Sequence, residues 1–226
     1  MNVLVIAAHP DDEVLGCGGT MARLAKEGHH VYIAILGEGI TSRFNQREHA
    51  DATQIGQLHG HSRKVAQLLG AKDVVLASLP DNRFDTVPLL EVAKVIEDLI
   101  KKYQPQVVYT QHGGDLNVDH VVTFRATLIA TRPMADCTVR AVYAYPVASS
   151  SEWAFQQFSP AFAPNLYVDI GDTLEVKIQA MQLYESEARA FPHPRSPEAL
   201  RAAALHWGSN VGVPAAEPFQ VIREIR

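Results

Sequence analysis

The chain of 226 residues is predicted to fold as an α/β protein, with a mostly parallel sheet and helices on both faces. Three observations predict it. Short apolar, β-branched runs alternate with amphipathic patterns of helical period, the signature of successive βαβ units. Those runs are continuously apolar, as in strands covered on both sides. Glycines close several of the helical patterns, so that one element ends before the next begins.

The elements follow in order. Residues 3–8 form the first strand, and a helix over 13–27 turns Val14, Leu15, Met21 and Leu24 inward before stopping at Gly28. A second strand over 31–36 leads into a polar, glycine-containing loop over 37–46. A long helix over 47–69, weakened at Gly56 and Gly60, stops at Gly70. Then come a strand over 73–77, a loop over 79–88, a helix over 89–103 and a strand over 106–110. A polar loop over 111–119 opens a helix over 120–131, and a fifth strand covers 139–145. The tail is less regular, with a strand over 166–170, helices over 173–187 and 197–207, and a last edge strand over 219–225. All of this reads as one domain over 1–226, with a core over about 1–145 and an irregular C-terminal extension over 146–226.

Composition removes several classes of function. Hydrophobic residues at 47% and charged residues at 20% specify a globular chain and not a disordered one. The net charge of -5, without a Lys/Arg-rich run, argues against electrostatic nucleic-acid binding. Cys17 and Cys137 cannot build a disulfide framework and lack zinc-finger spacing. No apolar stretch approaches the roughly 20 residues of a membrane span, and Met1-Asn2-Val3 lacks the basic flank of a signal peptide. The expectation is a soluble, cytoplasmic protein.

The chemistry concentrates in two loops. His9-Pro10-Asp11-Asp12-Glu13 follows the first strand directly, so an imidazole and three carboxylates sit where a buried strand turns into a helix. Like charges at one turn repel, and a divalent cation would neutralise them; a solvated helix N-terminus also suits Asp and Glu. His112-Gly113-Gly114-Asp115-Leu116-Asn117-Val118-Asp119-His120 follows the fourth strand. Both loops therefore lie at the carboxyl edge of the sheet, where open α/β sheets place ligands. His9 and Asp12 from one loop and His120 from the other make a set of two imidazoles and a carboxylate, a common catalytic zinc arrangement. Asp119, or another nearby carboxylate, is placed to hold a ligand histidine in its tautomer.

These two segments resemble the signatures of the LmbE-like (PIG-L) family of metal-dependent deacetylases. The resemblance continues through Gly37-Glu38-Gly39, Arg47-Glu48, Leu79-Pro80-Asp81-Asn82-Arg83, His193-Pro194-Arg195-Ser196 and Ala216-Glu217-Pro218-Phe219. It implies a Rossmann-like fold and zinc-dependent removal of an N-acyl group, usually acetate, from an amino sugar. It also implies His9, Asp12 and His120 as metal ligands and Asp11 as general base. Ferrous iron could occupy the same ligands, since affinity alone does not choose the metal.

The chain departs from many relatives at Asn117, where they carry a histidine that stabilises the oxyanion or protonates the leaving group. Asn117 can donate a hydrogen bond but cannot act as an acid. His193, between Pro192 and Pro194, is the replacement proposed from sequence, reaching the site from its own subunit or from a neighbour in a homo-oligomer. Asp115, His112, Arg43 and Arg83 are the substrate-binding candidates. The remaining histidines, His29, His30, His49, His59, His61 and His206, fall on helices or helix ends and read as surface or hydrogen-bonded groups. Cys17 reads as core, and Gly16, Gly18 and Gly19 as residues that let the first helix pack closely.

The expected reaction is removal of an N-acetyl group from a soluble amino sugar, nucleotide sugar or sugar-bearing metabolite. The alternative is an amidase acting on a larger N-acyl or thiol conjugate with the same metal centre. A nucleotide-binding Rossmann module would need glycines in the first turn, where Asp11, Asp12 and Glu13 would repel phosphate. A non-catalytic metal or sugar-binding protein would have no use for Asp11.

Overall fold

In the computed structural model, residues 1–41 and 52–226 are described. Five strands run parallel: β1 (Asn2–Ala7), β2 (His30–Gly37), β3 (Asp73–Leu79), β4 (Val107–Gln111) and β5 (Ala141–Tyr145). With β6 (Leu166–Asp169) and β7 (Ala216–Glu224) they form a 7-stranded sheet in the order β3-β2-β1-β4-β5-β7-β6. The helices are α1 (Asp12–Lys26), α2 (Ala52–Leu68), α3 (Leu89–Tyr103), α4 (Val118–Ala130), α5 (Leu174–Leu183) and α6 (Pro197–Ser209). Arg43, expected in the loop over 37–46, and the stretch expected to open the second helix, with Arg47, Glu48 and His49, lie outside the described residues.

The two-residue period of a strand explains the layers. Val3, Val5 and Ala7 of β1 enter one apolar cluster with α1, α2, α5 and α6. Leu4, Ile6 and Ala8 enter the other, with α3 and α4. β1 is thus buried on both faces, as its continuous apolar run predicts. The helical period is equally direct in α3, where Val92, Ala93, Ile96, Leu99, Ile100 and Tyr103 are the buried residues.

The glycines of α1 have the expected use. A Cβ on Gly16 would lie 2.0 Å from the Tyr145 ring, and one on Gly19 would lie 2.8 Å from Ile170. The Tyr145 hydroxyl donates to Ile6 O at 2.6 Å, so that ring is pinned and cannot yield.

The last strand corrects the sequence expectation of an edge. β7 lies between β5 and β6 and is antiparallel to both. Its two halves have different partners: Ala216 to Phe219 pair with β6, and pairing with β5 begins at Gln220. Pro218, which lacks an N–H and is disfavoured between two ladders, sits in the half that pairs on one side only. The tail after β5 therefore completes the sheet and also sends α5 back over α1, with α6 packed against α5 and β7. The connector between α5 and α6 forms because α5 ends at Leu183, earlier than the helical pattern suggests.

Candidate active site

The strand order turns between β1 and β4. From β1 the chain builds β2 and β3 to one side, then crosses to build β4 and β5 on the other. Ligand crevices of doubly wound sheets form at such a point. The loops leaving β1 and β4 meet there, joined by the loop that leaves β3.

Asp12 opens α1, with its carboxylate folded back on the turn: Oδ2 accepts from the His9 backbone N–H at 2.8 Å and from Gln111 Nε2 at 3.1 Å. Both histidines face the same oxygen, His9 Nδ1 at 3.4 Å and His120 Nε2 at 3.2 Å. The other nitrogen of each ring faces a second carboxylate. His9 Nε2 is 2.9 Å from Asp119 Oδ2, and His120 Nδ1 is 3.2 Å from Asp115 Oδ1. Asp119 is itself held by the Phe84 N–H at 2.9 Å. Asp81, from the loop after β3, also reaches His9 Nε2 at 3.3 Å.

One ligand atom each from His9, Asp12 and His120 lie within 4.8 Å of one another, a spacing that could hold a metal ion. Both ring nitrogens of His120 are buried without a hydrogen bond among the described residues. A buried imidazole nitrogen normally finds a partner, and Nε2 points to where the other two donors converge, 3.2 Å from Asp12 Oδ2. The donor set fits zinc and related divalent cations.

Asp11 precedes α1 in a left-handed backbone conformation, φ 105°. Such a conformation at a residue with a side chain costs of order 1–3 kcal/mol and persists only where the surroundings enforce it. Here Glu13 Oε2 accepts from the Asp11 N–H at 3.1 Å, and Arg195 Nη1 donates to Asp11 Oδ2 at 2.7 Å.

The electrostatics follow from burial among carboxylates. Burial pushes Asp11 well above the carboxylate range; Arg195 draws it back only in part, because Asp12, Glu187 and Glu13 act with burial. Burial also lifts Glu13 to about 7, against the hydrogen bond from Tyr184. Burial opposes the charge of Asp12 too, but His120 and His9 outweigh it and hold its carboxyl well below the usual range. Burial disfavours a charged His120, yet Asp12 and Asp115 raise it to about 9. The two neighbouring carboxylates are thus pushed in opposite directions, Asp12 down and Asp11 up.

His9, Asp11, Asp12 and His120 line a cavity of about 640 Å³, and so do Asn117 and His193. Asn117 caps α4: its Oδ1 accepts from the Asp119 N–H at 2.9 Å, while its Nδ2 donates to Asn82 Oδ1 at 3.0 Å. His193 packs edge-on against Trp153, ring centroids 5.4 Å apart.

The described substrate-binding candidates, His112, Asp115 and Arg83, do not line this cavity. His112 turns into a neighbouring cavity, with Nε2 2.8 Å from Pro160 O and its ring against Phe162. Asp115 stands behind His120, accepting hydrogen bonds from Ser150, Ser151 and the Asn117 N–H. Arg83 is exposed and does not line the cavity. Arg43 lies outside the described residues.

Asp81, Glu187 and Arg195 line the cavity but were given no role from sequence, although Asp81 and Arg195 lie in segments that carry the family resemblance. Asp81 was findable, since it follows a strand at the same sheet edge. Arg195 carried a weaker signal, two residues beyond His193 in a proline-stiffened segment. Glu187 carried none.

The sequence profile of the PIG-L family, described as GlcNAc-PI de-N-acetylase, matches residues 4–131. The chain belongs to this family. Among similar proteins is the uncharacterised deacetylase YaiS of Escherichia coli strain K12, 27% identical over 191 residues that cover 82% of this PIG-L chain and 91% of YaiS. The diacetylchitobiose deacetylase of Thermococcus kodakarensis is 26% identical over 250 residues, covering 98% of this chain and 83% of that one. A solved structure of N,N'-diacetylchitobiose deacetylase from Pyrococcus horikoshii shares the fold at a TM-score of 0.77, with 22% identity and coverage of 98% and 84%. Among the described residues of this PIG-L protein, no helix is long and apolar enough to cross a membrane.

Proposed function

We propose that this PIG-L protein is a divalent-metal-dependent hydrolase that removes the N-acetyl group of a small amino sugar, with zinc as the metal, or ferrous iron in its place. The observation that carries the reading is the convergence of His9, Asp12 and His120 on one point of a cavity, with Asp11 beside it and not among the ligands. The relatives named as sugar deacetylases support the substrate class, and a cavity of about 640 Å³ is of the size that takes a small ligand.

His9, Asp12 and His120 would hold the cation. When bound, it lowers the pKa of water toward neutrality and polarises an amide carbonyl. Asp119 and Asp115 keep the two imidazoles in place from behind. Asp11 takes the proton of the attacking water and passes it to the departing amine, so the carboxylate is regenerated with each turnover.

His193 supplies the hydrogen bond opposite. Its Nδ1 accepts from the Arg195 N–H at 3.2 Å, which leaves the proton on Nε2. Burial, then Arg195 and Arg189, lowers its pKa, so the ring is neutral and serves as a donor to the carbonyl oxygen. His193→Ala is expected to lose about 10²- to 10³-fold in turnover with metal content unchanged, as read by steady-state kinetics and metal analysis. Wild-type turnover would remove His193 from the mechanism.

The direct test is acetate release from a panel of N-acetylated sugars and nucleotide sugars, before and after chelation and again after zinc or ferrous iron is restored. Release that chelation abolishes and metal restores is expected. Activity confined to larger amide or thiol conjugates would instead favour an amidase, and activity indifferent to chelation would refute metal dependence.

A further inference from the structure

The connector between α5 and α6 grips the loop after β1 at two points, and both lead to Asp11. From one side, the Tyr184 hydroxyl donates to Glu13 Oε1 at 2.6 Å, while Glu13 Oε2 accepts the Asp11 N–H at 3.1 Å. From the other, Arg195 Nη1 donates to Asp11 Oδ2 at 2.7 Å. Arg195 is held in turn: Nε donates to Ser149 Oγ at 2.8 Å, and Nη1 lies 3.4 Å from Glu187 Oε2. A planar guanidinium fixed at two other acceptors has one orientation to offer the third group it meets. It engages a single oxygen of Asp11, and Oδ1 accepts no hydrogen bond from any described residue.

We infer that Arg195 is the positioning residue of the proposed base. It occupies Oδ2 and fixes the Asp11 side chain, so that Oδ1 is the oxygen left for the proton in the cavity. Without it a free carboxylate would rotate, or swing toward the cation beside Asp12. Glu187 and Ser149 hold Arg195 in place. This rests on the deacetylase reading, in which Asp11 moves the proton. A displacement of about 1 Å in a reacting group costs on the order of 10²-fold in rate, so the arrangement has a measurable consequence.

The experiment uses the full chain with Arg195→Met, Arg195→Lys, Asp11→Asn and the Asp11→Asn/Arg195→Met double variant. On an N-acetylated sugar turned over by the wild type, Arg195→Met is expected to lose about 10²-fold in kcat. KM should stay within about twofold and metal content at the wild-type level. Arg195→Lys should recover part of the loss, since an ammonium reaches one acceptor but cannot bridge Ser149 and Asp11. In the Asp11→Asn background, Arg195→Met should cost nothing more in kcat. A rise in KM with kcat intact would make Arg195 a substrate ligand and overturn the inference. So would losses that multiply in the double variant, or a fall in metal content.

Thermal unfolding of the chelator-treated proteins gives a second readout, independent of turnover. The melting-temperature loss caused by Arg195→Met should shrink by about 2 to 4 °C when Asp11 is already Asn, because a neutral amide oxygen accepts more weakly from a guanidinium than a carboxylate does. Additive losses would mean that Arg195 does not hold Asp11. If the wild type deacetylates no sugar, the deacetylase reading fails while this coupling still decides the contact.

Discussion

Asp11→Asn is expected to keep its metal and lose about 10²- to 10⁴-fold in turnover, the usual contribution of a positioned acid–base group. The change removes the proton acceptor and little else. Asparagine is nearly isosteric with aspartate, can accept from Arg195 through its amide oxygen, and tolerates the left-handed backbone that this position adopts. The three donors that would hold the cation are untouched. Metal content by elemental emission and initial rates on the same preparation separate the two properties. An Asp11→Asn protein of full activity would place the base elsewhere, and one that lost its metal would make Asp11 a ligand.

His120→Ala and Asp12→Ala are expected to lose both. His120 supplies the buried nitrogen without a hydrogen bond, and Asp12 Oδ2 is the oxygen on which both imidazoles converge. Removing either leaves two donors and an uncompensated charge in a buried site. Affinity for zinc should fall by more than the roughly 10- to 100-fold that follows loss of an outer hydrogen-bonding partner. Asp119→Asn supplies that comparison, because Asp119 touches His9 only from behind. Competition with a chromophoric chelator ranks the three variants. The ligand assignment would not survive a His120→Ala protein with wild-type zinc affinity, nor an Asp119→Asn change that cost more than His120→Ala.

Much of the site was legible before any coordinates. A β-branched run followed at once by His9 to Glu13 specified a buried strand and the loop at its carboxyl end. The same reading of residues 106–120 put a second loop at the same edge. The strand order then brings β1 and β4 side by side, so His9, Asp12 and His120 meet. Helix boundaries were less secure where a polar residue decided them. Asn117 reads as part of a loop, yet it caps α4 and starts that helix at Val118.

What the sequence by itself determined is therefore the set of elements, their alternation and the edge at which the charged residues gather. Each depends on periodicity or end chemistry within a few residues. Only the tertiary structure decided the direction in which each loop side chain points. His112 opens the second loop but faces Pro160 and Phe162, and Asp115 sits behind His120 where a substrate contact was expected. Arg195 reaches Asp11 across 184 residues of chain. β7 enters between β5 and β6 because its two halves pair with different strands, a division its local composition does not display. Such choices are set by distant segments that must be packed before they exist as neighbours, and no local pattern carries that information.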